Sequence, residues 1–167
     1  MSQHYAYILL GSNIGERINE INAAKAFIRQ TGAIITAESA IYETTAWGDI
    51  PQADFLNQVI AIQTTLDPDA LMKSLLEIEK RMGRTREQQM GPRTIDLDIL
   101  YYDQMIYRSE WVIIPHPLLH ERRFVLKPLS ELIPTYIHPV LHTSNASLLD
   151  ACRDNLEVKK WQENQVN

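Results

Sequence analysis

Between Tyr5 and Leu10 apolar and aromatic side chains run on without a break until Gly11-Ser12-Asn13. This pattern predicts a buried strand entering a turn. Beyond the turn, Ile14, Ile18, Ile21, Ala24 and Ile28 recur at helical spacing, the stripe of an amphipathic helix, and Gly32 suits its C′ position. Ile34 to Thr45 is β-branched and free of Gly and Pro, which predicts one strand. Asp49 to Asp54, with Pro51, reads as a loop. Phe55 to Thr65 predicts a second long strand with Leu56, Ile60 and Ile62 on one face.

Asp67-Pro68 is a helix start, a capping side chain followed by Pro at the first helical position. Leu71, Leu75, Ile78 and Met82 form the buried stripe, and Gly83 ends it. The polar stretch Arg84 to Arg93 predicts a loop. Thr94 to Tyr102 predicts a strand with Ile95, Leu97, Ile99 and Tyr101 on one face and Thr94, Asp96, Asp98 and Leu100 on the other. Later expectations are short helical turns at Leu118–Arg122 and Pro128–Leu132 and a helix from about Ser147 to Asn155. The order strand, helix, strand, strand, helix, strand predicts an α+β fold. Its form is a ferredoxin-like βαββαβ sandwich, an antiparallel-rich sheet with helices on one face, plus C-terminal additions.

Composition narrows the function classes. A length of 167 residues with 45% hydrophobic content fits one domain, taken as residues 1–167. Cys152 is the lone cysteine, which excludes an internal disulfide or a multi-thiolate zinc site. A net charge of −5 argues against sequence-independent nucleic-acid binding, which rests on Lys and Arg. No run approaches a membrane span, and the first residues have no basic leader region, so a cytoplasmic protein is expected.

Asp96 and Asp98 carry the sharpest chemistry. At i and i+2 on a strand they share a face, with Cα atoms about 6.6 Å apart. Two like charges on a mostly apolar strand need compensation from arginines, from protonation of one carboxyl, or from a metal. Paired carboxylates suit Mg²⁺ shared with substrate phosphates; the plain alternative is a solvated face on an edge strand. Arg84, Arg86 and Arg93 lie just upstream, and Arg122-Arg123 follow the Pro115-His116-Pro117 turn. They are five of sixteen cationic residues in an acidic chain. Arginine forks beside such carboxylates make a polyphosphate site plausible, although Arg84 and Arg86 also suit a helix C-terminus. Neither a P-loop nor a G-x-G-x-x-G motif is present.

His116 and His120, and His138 and His142, are each spaced i, i+4, but the Pro after His116 and His138 disfavours helical geometry for a metal. Phe55 and Phe124 suit the core, or two rings holding a flat heterocycle, and spacing does not choose between them.

Gly91-Pro92-Arg93-Thr94-Ile95-Asp96-Leu97-Asp98-Ile99-Leu100 resembles the signature of the 6-hydroxymethyl-7,8-dihydropterin pyrophosphokinase family. Further matches, in the family's order, are Tyr7 to Asn13, Tyr42-Glu43-Thr44, Asp54-Phe55-Leu56-Asn57, Glu79 with Gly83-Arg84-x-Arg86, Pro115-His116-Pro117, and Arg122-Arg123-Phe124. They cover about Ala6 to Leu129. The resemblance implies transfer of the β,γ-diphosphate of ATP to the pterin alcohol in folate biosynthesis by a monomer using two Mg²⁺ ions. It implies that Asp96 and Asp98 hold the metal, and that Thr44, Phe55, Asn57 and Phe124 bind the pterin. Glu79, Arg84, Arg86, Arg93, Ile99, His116 and Arg122 would bind ATP, and Arg84, Arg93, Asp96 and Asp98 would be catalytic.

The chain departs from the family at Thr45-Ala46-Trp47-Gly48, where many members carry a proline, and in a short Glu87–Met90 loop without the usual aromatic. Two other classes compete with the enzyme. One is a catalytically silent pterin- or nucleotide-binding module, and the other is a zinc hydrolase built on the histidine pairs.

Overall fold

The computed structural model describes residues 2–45, 53–83 and 94–162. Its centre is β1 (His4–Ser12), whose aromatic and aliphatic run pairs antiparallel on one side with β4 (Phe55–Thr64) and on the other with β5 (Asp96–Tyr102). The expected strand Ile34–Thr45 is two strands, β2 (Ile34–Glu38) and β3 (Tyr42–Thr44), which pair with opposite ends of β4. Side chains take the backbone groups at the break. Ser39 Oγ accepts from Val59 N–H, Gln58 Nε2 donates to the Ser39 carbonyl, and Glu131 Oε2 accepts from Ala40 N–H. With those groups satisfied, the chain steps between strands at no hydrogen-bonding cost.

α1 (Arg17–Gln30) and α2 (Pro68–Arg81) lie on one face of the sheet. Gly32, at φ 93°, follows α1 as expected. Asp67 caps α2 by accepting from Ala70 N–H at 2.8 Å, with Pro68 behind it. Ile21, Ala24 and Ile28 from α1 meet Leu71, Leu75 and Ile78 from α2 over Ile8, Leu10, Leu56, Ile60, Leu97 and Ile99.

The opposite face is also covered, which corrects the expectation of helices on one side. After the short hairpin β6 (Tyr107–Arg108) and β7 (Ile113–Ile114), a 3₁₀ turn (Leu119–Glu121) leads into α3 (Arg123–Leu132), with α4 (Asn145–Ala151) beside it. Val125, Leu126 and Leu129 of α3 bury against Leu9, Val59, Leu100 and Tyr101. α3 starts five residues before the expected turn at Pro128 and carries that proline inside. Burial of this stripe outweighs the hydrogen bond that Pro128 forgoes. The final strand, β8 (Val158–Lys160), was not expected and pairs with β3, completing the sheet order β5-β1-β4-β3-β8.

One side chain lies on the wrong face for the simple alternation. Register between β1 and β5 slips between Tyr7 and Ile8, so Leu100 is an extra residue in β5. Leu100 and Tyr101 therefore both face α3, and Tyr101 leaves the face it was predicted to share with Ile99. Tyr101 Oη donates to the buried Asn145 Oδ1 at 2.7 Å, tying the bulge to α4. No helix among the described residues is long and apolar enough to cross a membrane.

Candidate active site

The site is built on three neighbouring strands by register. Gly11 on β1 pairs with Asp96 on β5 and with Asn57 on β4, so the three lie in one row across the sheet. At about 4.8 Å between strands, Asp96 and Asn57 stand roughly 10 Å apart with a glycine between them. The absent side chain opens the floor of a cavity lined by Leu9, Gly11, Thr44, Thr45, Phe55, Asn57, Asp96, Asp98, Arg122 and Phe124. A Cβ on Gly11 would stand 2.8 Å from Asn57 Oδ1 and 3.7 Å from the Phe55 ring. Glycine is required here by close approach.

At one end of this row the cavity offers directional polar groups between rings. Asn57 and Thr44 are 3% and 2% exposed, and Asn57 Nδ2 donates to Thr44 Oγ1 at 2.9 Å. That bond leaves Asn57 Oδ1 facing the Gly11 side, as the close Cβ contact shows. Phe55 opens β4 and Phe124 lies in the first turn of α3, so two rings reach the cavity from the sheet and from the helix packed on it.

At the other end Asp96 and Asp98 are half-buried on the same face of β5, as their spacing predicts. Arg122, at the start of α3, joins them with its guanidinium carbon 5.7 Å from the centre of the Phe124 ring. Two carboxylates next to an arginine and open to a cavity fit a hard cation that takes its remaining ligands from water and phosphate. Among the described residues no three His, Cys, Asp or Glu side chains converge as a self-sufficient metal cage.

A second groove starts where the first ends. Asp98 also lines it, with Met72, Ile99, Ser109, Glu110, Trp111, Val112, Ile113, His116 and Pro117. The β5 bulge locates His116, whose N–H donates to the Leu100 carbonyl at 3.0 Å. Burial, helped by the Arg122 cation and opposed by Asp96, lowers the imidazole pKa to about 4. It is neutral at pH 7, and Nδ1 accepts from Leu118 N–H at 3.2 Å, which leaves the proton on Nε2 as a donor.

Of the residues named from sequence, Thr44, Phe55, Asn57, Phe124, Asp96, Asp98 and Arg122 share the first cavity, while Asp98, Ile99 and His116 share the second. Glu79 lies deep on α2, 3% exposed, with Oε2 accepting from Leu97 N–H at 2.7 Å between the two aspartates. It braces the strand that presents them. Arg84, Arg86, Arg93, the Ala46-Trp47-Gly48 departure and Met90 fall outside the described residues. Gly11 was not among the candidates, since its partner Asn57 is 46 positions away and the contact exists only through register. His138 is buried against His120, and its Nδ1 accepts from Val140 and Leu141 N–H, a turn role for one of the histidine pairs.

The family model for 7,8-dihydro-6-hydroxymethylpterin-pyrophosphokinase (HPPK) matches residues 7–134, the span that holds every lining residue of both cavities. The chain belongs to the HPPK family. A Bacillus subtilis 2-amino-4-hydroxy-6-hydroxymethyldihydropteridine pyrophosphokinase is 47% identical over 128 residues, 76% of this chain and 77% of that protein. The enzyme of the same name from Methylorubrum extorquens is 42% identical over 133 residues, 79% of this chain and 84% of the other. Among solved structures, a Plasmodium falciparum HPPK-DHPS superimposes with a TM-score of 0.72 at 15% identity, over 90% of this chain. This chain spans 44% of that longer one, and the match carries the fold alone.

Proposed function

We propose that the protein transfers the β,γ-diphosphate of ATP to the hydroxymethyl group of 6-hydroxymethyl-7,8-dihydropterin, giving the pterin diphosphate and AMP in folate biosynthesis. The observation that carries this reading is the row Asp96–Gly11–Asn57. It puts carboxylates at one end and a polar amide near two rings at the other, either side of a side-chain-free floor, which suits a cation and a flat heterocycle. Family membership through relatives named as pyrophosphokinases supports the same reaction over a silent binding module.

In this reading the pterin lies between Phe55 and Phe124, with Asn57 and Thr44 meeting its polar edge. Its hydroxyl oxygen is directed toward Asp96 and Asp98. ATP occupies the second groove, its base near Ile99 and its phosphates toward Asp98, His116 and Arg122. The hydroxyl oxygen bonds to the β-phosphorus, the bond from that phosphorus to the α,β-bridging oxygen breaks, and the hydroxyl proton is lost as AMP leaves. Asp96 and Asp98 would hold Mg²⁺, two ions in our proposal, which when bound would neutralise phosphate charge. Arg122 stabilises charge on the transferred group, and neutral His116 donates from Nε2 to a phosphate oxygen without adding a charge that must later be removed. Arg84 and Arg93 complete the proposed catalytic set; with Arg86 and Glu79 they also belong to the proposed ATP set. Positioning and charge do most of the work in such a transfer, which suits a site built from rigid strands.

We further read the antiparallel order β5-β1-β4 flanked by β2 and β3 as ferredoxin-like, with β2 and β3 as two halves of one strand. Residues 1–167 then form a single catalytic domain, monomeric and cytoplasmic. The test is to incubate the protein with ATP, Mg²⁺ and the pterin alcohol and to separate the nucleotides by anion exchange. AMP equal in amount to a pterin diphosphate is the expected result. ADP in its place means that one phosphoryl group moves, and surviving ATP returns the chain to the binding-module class.

A further inference from the structure

The loop after β1 ends in an arginine that helix physics does not favour there. Arg17 is the first residue of α1, where the positive end of the helix dipole opposes a cation, and Glu16 before it makes no side-chain cap. Arg17 nevertheless has two well-made partners. One guanidinium nitrogen donates to Glu43 Oε2 at 2.6 Å and to the Asp54 carbonyl at 2.8 Å. Both side chains of the ion pair are partly withdrawn from water, 25% and 35% exposed.

These partners flank one rung of the sheet on its two sides. Glu43 precedes Thr44 on β3, Asp54 lies just before β4, and Thr44 and Phe55 are opposite each other as the last rung of the β3–β4 ladder. Arg17 therefore clips that rung from behind. Side chains alternate along a strand, so Glu43 points to the α1 face while Thr44 points into the cavity. Nearby, Asn13 Nδ2 donates to the Ala53 carbonyl at 3.0 Å, a second tie between the same loop and the approach to β4. Neither Arg17, Glu43, Asp54 nor Asn13 lines the cavity.

We propose that Arg17, through Glu43 and the Asp54 carbonyl, is a positioning residue that holds Thr44 and Phe55 at the spacing the pterin ring requires. This inference rests on the proposed function for its substrate. β3 is three residues long between β4 and β8, and a small displacement of positioning groups at its end is costly to binding and rate. Arg17 adds a side-chain tie across the end of that ladder, and it acts on the pterin end while leaving the ATP groove untouched.

The test is steady-state kinetics of AMP formation with Arg17→Ala, Arg17→Lys and Glu43→Gln, alongside calorimetric titration of each protein with the pterin alcohol in the presence of a non-hydrolysable ATP analogue and Mg²⁺. The expected result for Arg17→Ala is a rise of about tenfold in KM and in the dissociation constant for the pterin, with the KM for ATP within about twofold. Glu43→Gln gives a smaller rise in the same direction. Arg17→Lys, which keeps the charge and hydrogens for both acceptors, recovers most of the wild-type value. An unchanged pterin KM in Arg17→Ala overturns the inference, as does a loss shared equally between the two substrates. If Arg17→Ala does not fold, Glu43→Gln is decisive by the same KM split. A wild type that binds the pterin yet makes no AMP refutes the proposed reaction, and the pterin titrations of the variants then decide the inference alone. A wild type that binds no pterin overturns both.

Discussion

Asp96 and Asp98 show how much of this site one strand can announce by itself. Two carboxylates two residues apart share a face wherever the strand goes, and the structure places both in one cavity beside Arg122. Asp96→Ala and Asp98→Ala are expected to lower AMP formation by at least about a hundredfold while the melting temperature stays close to wild type, checked by nucleotide assay and thermal melt. Chelating the metal is expected to reproduce that loss reversibly. Gly11 is the contrasting case, because nothing in its neighbours reveals that Asn57 Oδ1 will stand 2.8 Å from any added Cβ. Gly11→Ala is expected to raise the pterin KM more than the ATP KM and to destabilise the fold by about 1–3 kcal/mol through overpacking. A kinetic series with denaturant unfolding checks both. Phe55 and Phe124 fall between these cases, since their ring character is local but their meeting at one cavity needs β4 and α3 to be packed together.

At the scale of elements, what could be read depended on whether the determining contacts were local. Asp67-Pro68 sets the start of α2 with residues that touch each other, and the helix begins there. Asp67→Ala is expected to cost about 1 kcal/mol in denaturant unfolding with AMP formation unchanged, because Asp67 itself lines neither cavity. The break between β2 and β3 and the early start of α3 were not legible, since Glu131 and Gln58 satisfy the break from distant positions and the α3 stripe is buried only by a face of the sheet. The bulge at Leu100 belongs to the same class. Strict alternation put Tyr101 beside Ile99, and one unpaired residue turns it to the other layer and sets the carbonyl that receives His116 N–H. Tyr101→Phe removes the bond to Asn145 and leaves a buried amide oxygen short of a donor. A loss of about 1–3 kcal/mol is expected in unfolding experiments.

For the molecule as a whole, two desolvated imidazoles set an acid limit. His116 is held at about 4 by burial with Arg122 nearby, and His138 at about 4 by burial with His120 and His142 nearby. The unfolded chain binds these protons near pH 6.5, so below that value it gains protons the fold refuses. Their contribution to stability is complete above pH 6.5 and is lost as the pH falls toward and through 4. Thermal melts between pH 7.5 and 4.5 are expected to show this decline, and His138→Asn, which keeps an acceptor for the turn but does not titrate there, is expected to make it shallower. The same neutrality means that AMP formation between pH 6 and 8 carries no inflection from His116.

The segment after Leu129, unreadable as sequence, has a plain task in the assembled protein. Glu131 closes α3 by accepting from Tyr42 Oη and Ala40 N–H, and Phe124 lies seven residues before it, two turns back along the same flank of the helix. At 1.5 Å per residue α3 is thus a gauge block about 10 Å long between those two positions. One end is bolted to the strand that carries Thr44, and the other carries Phe124, which lines the cavity with Phe55. The width of the cavity is machined by a helix whose own far end does not line it, and any change that lengthens, bends or unbolts that block regauges the cavity from a distance.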